Sequence, residues 1–175
     1  MMAMSIIPTG AAHAPVLAAV HLACFTDQPW HPPWDQAAMD SILGTPGVTG
    51  WLAVADDASA GAPTPIGLLL VQAAVEDADI LTLGVCPGPW RRRGVARRLL
   101  AEGSAALTDA GVTRLLLEVA ETNTGALAFY HAAGFAQVGR RREYFTAGPG
   151  PARDALVMAR DLIGPRQQKT PAIPG

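Results

Sequence analysis

Glu118 sits near the end of the apolar run Leu115-Leu-Leu-Glu-Val-Ala120. A carboxylate among residues that favour burial needs a partner or a task. It can serve as a general base for an amine, or as half of a structural ion pair with an arginine. Tyr130 follows in a helical stretch, as a core residue or as a proton donor to a departing thiolate, whose pKa lies below that of a phenol. Upstream, Arg91-Arg-Arg-Gly-Val-Ala-Arg-Arg98 gathers five arginines and no acid around one glycine. Such a run is often only a solvated basic face. Where it opens a helix, though, backbone N–H groups and the helix dipole converge on an anion, and arginines add charge-assisted hydrogen bonds.

The surrounding elements supply that setting. Ile6-Ile7 before Pro8 suggests a first strand, and Val16, Leu17, Val20, Leu22 and Phe25 fall at helical spacing over 12–25. A Pro-rich loop carrying Trp30, His31 and Trp34 leads to a helix over 35–43, stopped by Gly44 and Pro46. Residues 51–55 and 66–75 read as neighbouring strands joined by a loop over 56–65 that is expected to be mobile. A strand over 80–85 enters the arginine turn. A helix over 95–110 then places Val95, Leu99, Leu100, Ala106 and Leu107 on one stripe, with Gly111 ending it. Strand 114–120 completes a βαβ unit, which implies parallel pairing and a ligand site near the strands' C-terminal ends. Asn123 can cap a fourth helix through Ala133, Gly134 ends it, and 135–138 and 155–158 supply the last strands.

The arginine turn fits neither the three-glycine dinucleotide fingerprint nor the P-loop. Its pattern, Arg91-x-x-Gly94-x-Ala96, resembles the acyl-coenzyme A pyrophosphate motif of the GNAT N-acetyltransferases, and the order of elements is that family's. Leu116-Leu-Glu-Val119, Asn123, Leu127-Ala-Phe-Tyr130, Gly134-Phe135 and Arg141-Arg-Glu-Tyr144-Phe145 look like the bacterial ribosomal-protein alanine N-acetyltransferases. The resemblance covers about residues 5 to 162. It implies an α/β fold: one domain over 1–163 with a mixed, mostly antiparallel twisted sheet of about six to seven strands and about four helices, two parallel strands splaying around acyl-CoA, and a disordered tail over 164–175. Two departures stand out. Gly88-Pro89 lengthens the entry to the turn by one residue, and Ala96 replaces the commoner glycine.

The resemblance also implies roles. Acetyl-CoA would be the co-substrate, held by Leu83, Gly84 and Val85 along a strand edge, by Arg91, Arg92, Arg93, Gly94, Val95, Ala96 and Arg97 at the turn, and by Asn123. A backbone N–H near Val85 would polarise the acetyl carbonyl. Glu118 stands twelve residues before Tyr130, as the family's base stands before its tyrosine acid. Trp30, His31, Trp34, Tyr144 and Phe145 would wall a groove for a peptide N-terminus, such as that of a ribosomal protein, although packing explains them too. An α-amine with pKa near 8 offers roughly two orders of magnitude more neutral amine at pH 7 than a lysine near 10.4. The alternatives are a small-molecule amine as acceptor and a non-catalytic acyl-CoA sensor.

Composition narrows the field. Half of the 175 residues are hydrophobic, enough for one core. A net charge of -2 argues against a nucleic-acid partner. No run is long and apolar enough to span a bilayer, so a cytoplasmic protein with no membrane partner is expected. The two cysteines, Cys24 and Cys86, fit neither a disulfide framework nor a metal site and are assigned to packing. No acyl-enzyme is expected at Cys86. His13, His21 and His131 are expected at the surface or in packing.

Overall fold

A computed structural model describes residues 3–28, 31–56 and 62–162. In chain order the elements are β1 (Met4–Thr9), α1 (Ala14–Phe25), α2 (Gln36–Leu43), β2 (Val48–Ala55), β3 (Thr64–Ala74), β4 (Asp77–Val85), α3 (Val95–Asp109), β5 (Arg114–Ala120), α4 (Thr124–Ala132), β6 (Ala136–Phe145) and β7 (Arg153–Asp161). The strands form one open sheet in the order β1-β2-β3-β4-β5-β7-β6. Only β4 and β5 run parallel, as expected for strands joined through a helix. The loop residues 57–61, Trp30 and the expected tail 164–175 lie outside the described residues.

Local chemistry sets the helix ends. Asp35 accepts a hydrogen bond from the Ala38 N–H at 2.8 Å and caps α2, while Asn123 accepts from Ala126 N–H at 3.2 Å and caps α4. Gly111 and Gly134, with φ of 92° and 89°, take the left-handed conformation that ends α3 and α4.

β3 is the centre of the core, because its residues Ile66 to Val71 are buried on both faces. One face packs against α3 and α4 through Leu69, Leu99, Leu107 and Phe135. The other packs against α1 and α2 through Leu17, Met39, Leu68 and Leu70. On α3 the structure corrects the expected stripe: Ala106 is exposed, and Gly103 is buried in its place. A Cβ at Gly103 would stand 2.6 Å from Leu69 Cδ2, so the missing side chain is what lets α3 lie against β3.

Two strands run further than the sequence suggested. β4 starts at Asp77, because Val75 takes φ of 58° in a tight turn, an unfavourable conformation for a β-branched residue. β6 continues through the second arginine run to Phe145, and its apolar alternation fades because this edge strand is exposed along nearly its whole length.

The pairing of β4 with β5 controls the site. It holds only from Asp77↔Arg114 to Asp79↔Leu116, after which the strands separate. β5 instead keeps its ladder with β7 as far as Ala120↔Ala155, and β4 keeps its ladder with β3 as far as Val85↔Gly67. A wedge therefore opens in the middle of the sheet between 80–85 and 117–120.

Candidate active site

Two cavities fill this wedge, of about 540 and 770 Å³, within the range of small-molecule sites. They share Phe25, Gln28, Leu83, Asn123, Ala126 and Tyr130 as walls, so they adjoin as two arms of the wedge. The larger arm runs under the arginine turn. The smaller opens between β5, β6 and the start of the segment leading to α2.

In the larger arm the groups that could hold an anion come mainly from backbone. Cys86 N–H donates to Ile66 O at 2.9 Å, and in an antiparallel ladder alternate residues face the same neighbour. Gly84 and Thr82 therefore face β3, leaving the amides of Leu83 and Val85 to point into the wedge. Gly84 lines the arm without offering its amide. It serves instead as a close-approach site, since a Cβ there would meet Cys24 and Phe25 at 2.9 to 3.0 Å. At the turn, Arg92 and Gly94 take φ of 61° and 79°, and no side chain caps α3. Its first amides therefore stay available. A Cβ on Gly94 would have nothing within 4 Å among the described residues. An open, uncapped helix N-terminus flanked by exposed arginines fits a pyrophosphate.

Arg91, Arg92, Gly94, Val95, Ala96 and Arg97 line this arm. Arg93 does not. Arg98, part of the same run, is drawn away, donating through Nη1 to Met4 O at 2.8 Å and tying α3 to β1.

The smaller arm is a side-chain site. Glu118 Oε1 lies 2.7 Å from Arg141 Nε, the ion pair that the sequence left as the alternative to a free base. Glu118 also acts on Tyr144, raising the phenol's pKa chiefly by attracting its hydroxyl proton, with burial adding to it. Arg141 lies over the Tyr144 ring at 5.6 Å. Asp79, at the apex of the wedge, has its carboxyl pushed up by burial and then by the charges of Glu118 and Asp77. Tyr130 is buried on α4, and burial drives its pKa up strongly, so it stays a protonated phenol.

His31, Trp34, Tyr144 and Phe145 line this arm together with Glu118. Trp34 stacks on the fully buried His21 at 4.4 Å and 9°, and the Trp34 backbone N–H donates to His21 Nδ1 at 3.1 Å. His21 Nε2 has no hydrogen-bond partner among the described residues. Burial, and then the nearby His31, lower the His21 pKa to about 4. Burial lowers that of His31 as well.

Residues 17–135 match the model of the Acetyltransferase (GNAT) family. The chain belongs to this family. A relative from Salmonella typhimurium, the ribosomal protein bS18 alanine N-acetyltransferase, is 34% identical over 90 residues, covering 51% of this chain and 60% of that protein. The chain thus spans well under two thirds of that relative's length. The crystal structure of the Escherichia coli ribosomal-protein S18 alanine N-acetyltransferase superposes with a TM-score of 0.75 at 22% identity, covering 91% of this chain and 94% of that one. Arabidopsis thaliana NAA60 in complex with acetyl-CoA gives 0.74 at 18%, covering 93% and 100%. At these identities the structural likeness is one of fold.

Several wall residues of this GNAT domain escaped the sequence. Phe25 closed the apolar stripe of α1 and was legible only as packing. Gln28 carries no local signal, because its place at the junction depends on how α1 meets β4. Asp79 sits in the alternating segment Asp77-Ala-Asp-Ile80 and reads as a solvent-face residue. Its pairing with Leu116, the last before β4 and β5 part, brings it within reach of the Glu118 charge. Among the described residues no cluster of three metal-ligating side chains occurs, and no helix is long and apolar enough to cross a membrane.

Proposed function

We propose that this protein is an acetyl-CoA-dependent N-acetyltransferase acting on the N-terminal α-amine of a protein, of the ribosomal-protein alanine type. The observation that carries the reading is the pair of adjoining cavities in the splayed sheet that share Tyr130 as a wall, one lined by strand-edge amides and arginines and the other by Glu118. The matched family and the named relatives support both donor and reaction.

When bound, acetyl-CoA supplies the thioester carbonyl and the thiolate leaving group. The Leu83 and Val85 amides present a strand edge to the pantetheine arm, and the Val85 N–H is the donor that stabilises negative charge on the carbonyl oxygen. Arg91, Arg92, Arg97 and the first α3 amides hold the pyrophosphate, and Asn123 lies at the junction. Glu118, released by Arg141, takes the proton of the incoming amine directly or through a water. Tyr130 keeps its proton through binding and gives it to the sulfur as the thioester bond breaks. His31, Trp34, Tyr144 and Phe145 form the wall for the first residues of the acceptor. Asp79 beside Glu118 favours a cationic amine entering that arm.

Mass spectrometry after incubation with acetyl-CoA tests the reading. The acceptors are an Ala-initiated peptide, an N-terminally blocked lysine peptide and a panel of free amines. Acetylation of the Ala α-amine is expected. Turnover only on free amines would overturn the acceptor, and cofactor binding without turnover on any amine would overturn the transfer reaction in favour of a sensor.

A further inference from the structure

Cys24 closes α1 and Cys86 follows β4 directly, yet their sulfurs stand 4.0 Å apart, with the Cys24 thiol donating to Cys86 Sγ. Both are free thiols. Cys24 is buried and lines the larger arm, while Cys86 is partly buried at the entry to the arginine turn. Cys24 belongs to the core and Cys86 packs against it, but packing alone calls for no thiol at either position. The Cys24 thiol, against the opposing effect of burial and with help from the Cys86 backbone amide and the Arg91 charge, draws the Cys86 thiol down to about 7. Donation to Cys86 and burial push Cys24 up, so the pair consists of an ionisable thiol and a protonated neighbour.

We propose that Cys24 and Cys86 form a peroxide-sensitive dithiol site whose closure to a disulfide weakens the adjoining cofactor arm. The reaction needs a hydroperoxide as oxidant. Cys86 sulfur attacks one peroxide oxygen, the O–O bond breaks, and water leaves a sulfenic acid on Cys86. Cys24 sulfur then attacks that sulfur. The S–S bond forms, the S–O bond breaks, and the hydroxide departs as water with the Cys24 proton. Two electrons pass from the thiols to the peroxide.

A bonded pair stands about 2.05 Å apart, so the sulfurs must approach by about 2 Å. Cys24 is poorly placed to move, since its Cβ and Sγ lie against Gly84, where an added Cβ would stand 2.9 and 3.0 Å away. The shift falls on Cys86 and the turn behind it. Arg91 reaches back to Val85 O at 3.4 Å, so that turn and the end of β4 move together, and both wall the cofactor arm. This consequence for the cofactor rests on the function proposed above, whereas the dithiol chemistry does not.

The test treats the reduced full-length chain with one equivalent of hydrogen peroxide, followed by non-reducing peptide mapping and thiol counting. Loss of both thiols, a linked Cys24–Cys86 peptide and recovery with dithiothreitol are expected. Cys24→Ser should stop at a Cys86 sulfenic acid trapped by dimedone. Calorimetric titration of acetyl-CoA should show about tenfold weaker binding to the oxidised than to the reduced chain, a coupling of ordinary size for two linked sites. Cross-linking between chains, oxidation of Cys86 to the sulfonic acid without a linked peptide, or a disulfide with unchanged cofactor affinity would each overturn the proposal. If the reduced chain binds no acetyl-CoA, the proposed function fails, while the linked peptide still decides the dithiol chemistry.

Discussion

At the α3 end of the wedge the binding groups are fixed by backbone: an uncapped helix start, two left-handed residues and a strand edge that β5 has abandoned. At the β6 end they are side chains on exposed strand positions, and Arg141 already occupies the carboxylate that would receive the amine. The first end can accept its ligand without rearrangement, whereas the second must exchange a guanidinium for the acceptor. A donor shared by many acetyltransferases calls for a rigid, backbone-built arm, and an acceptor that differs among them calls for a replaceable one. The two ends also differ in titration. The amine end, unlike the backbone-built arm, rests on two histidines, His21 and His31, whose pKa values burial has lowered.

The largest effect should come where the two ends meet. Glu118→Gln combined with Tyr130→Phe should lower kcat by about 10³, within the range for removed acid and base groups, with acetyl-CoA affinity changed less than about threefold. Steady-state kinetics beside calorimetric titration separates the two quantities. A double variant as active as the wild type would leave the wedge without its chemistry.

The next test probes the unequal titration. The folded His21 pKa is lowered to about 4 from 6.5, so the unfolded chain takes the proton first as pH falls. His21 therefore adds stability that is fully present above about pH 6.5 and is lost as pH drops toward 4, by about 2 to 3 kcal/mol at pH 4.5. Urea unfolding at pH 7.5 and 4.5 should show this loss in the wild type, and His21→Asn should remove most of the difference. If the variant keeps the wild-type pH slope, the amine end is not founded on a neutral histidine.

A smaller effect is expected at the other end. Gly94→Ala adds a Cβ at φ of 79°, a conformation that costs about 1 to 2 kcal/mol for an L residue, in open space before the α3 amides. Acetyl-CoA should bind about tenfold more weakly while kcat at saturation holds within about twofold. Equal losses in both would show that the cradle also shapes the reacting centre.

The same division explains what the sequence made legible. Backbone-built features leave local signals: Gly94 after three arginines, Asn123 before a helix, Gly111 and Gly134 at helix ends, and the strand-helix-strand order that requires β4 and β5 to run parallel. Their early separation left no signal of its own, because it depends on β7 holding β5 and β3 holding β4. The amine end was legible only in pieces. Glu118 stood out as a charge in an apolar strand, but its partners Arg141 and Tyr144 lie on an edge strand whose exposed residues follow no alternation. His21 read as packing, and its role as the surface under Trp34 depends on a loop folding back by 13 residues to meet α1. Ala106 was placed on the α3 stripe and Gly103 was not, because a close approach of α3 to β3 cannot be read from either element alone.

The smallest effect tests whether the amine end is gated. Arg141 is exposed over 61% of its side chain, and such ion pairs contribute roughly 0 to 1 kcal/mol after screening by solvent. Arg141→Gln should therefore lower KM for an Ala-initiated peptide by no more than about fivefold, because the amine no longer competes with a guanidinium for Glu118. The KM for acetyl-CoA should stay constant. The gain should shrink as salt rises in the wild-type assay, since added ions weaken the Arg141–Glu118 pair before any substitution is made. A KM that rises in Arg141→Gln would mean that Arg141 positions Glu118 for the amine instead of guarding it, and the two ends of the wedge would then be equally preformed.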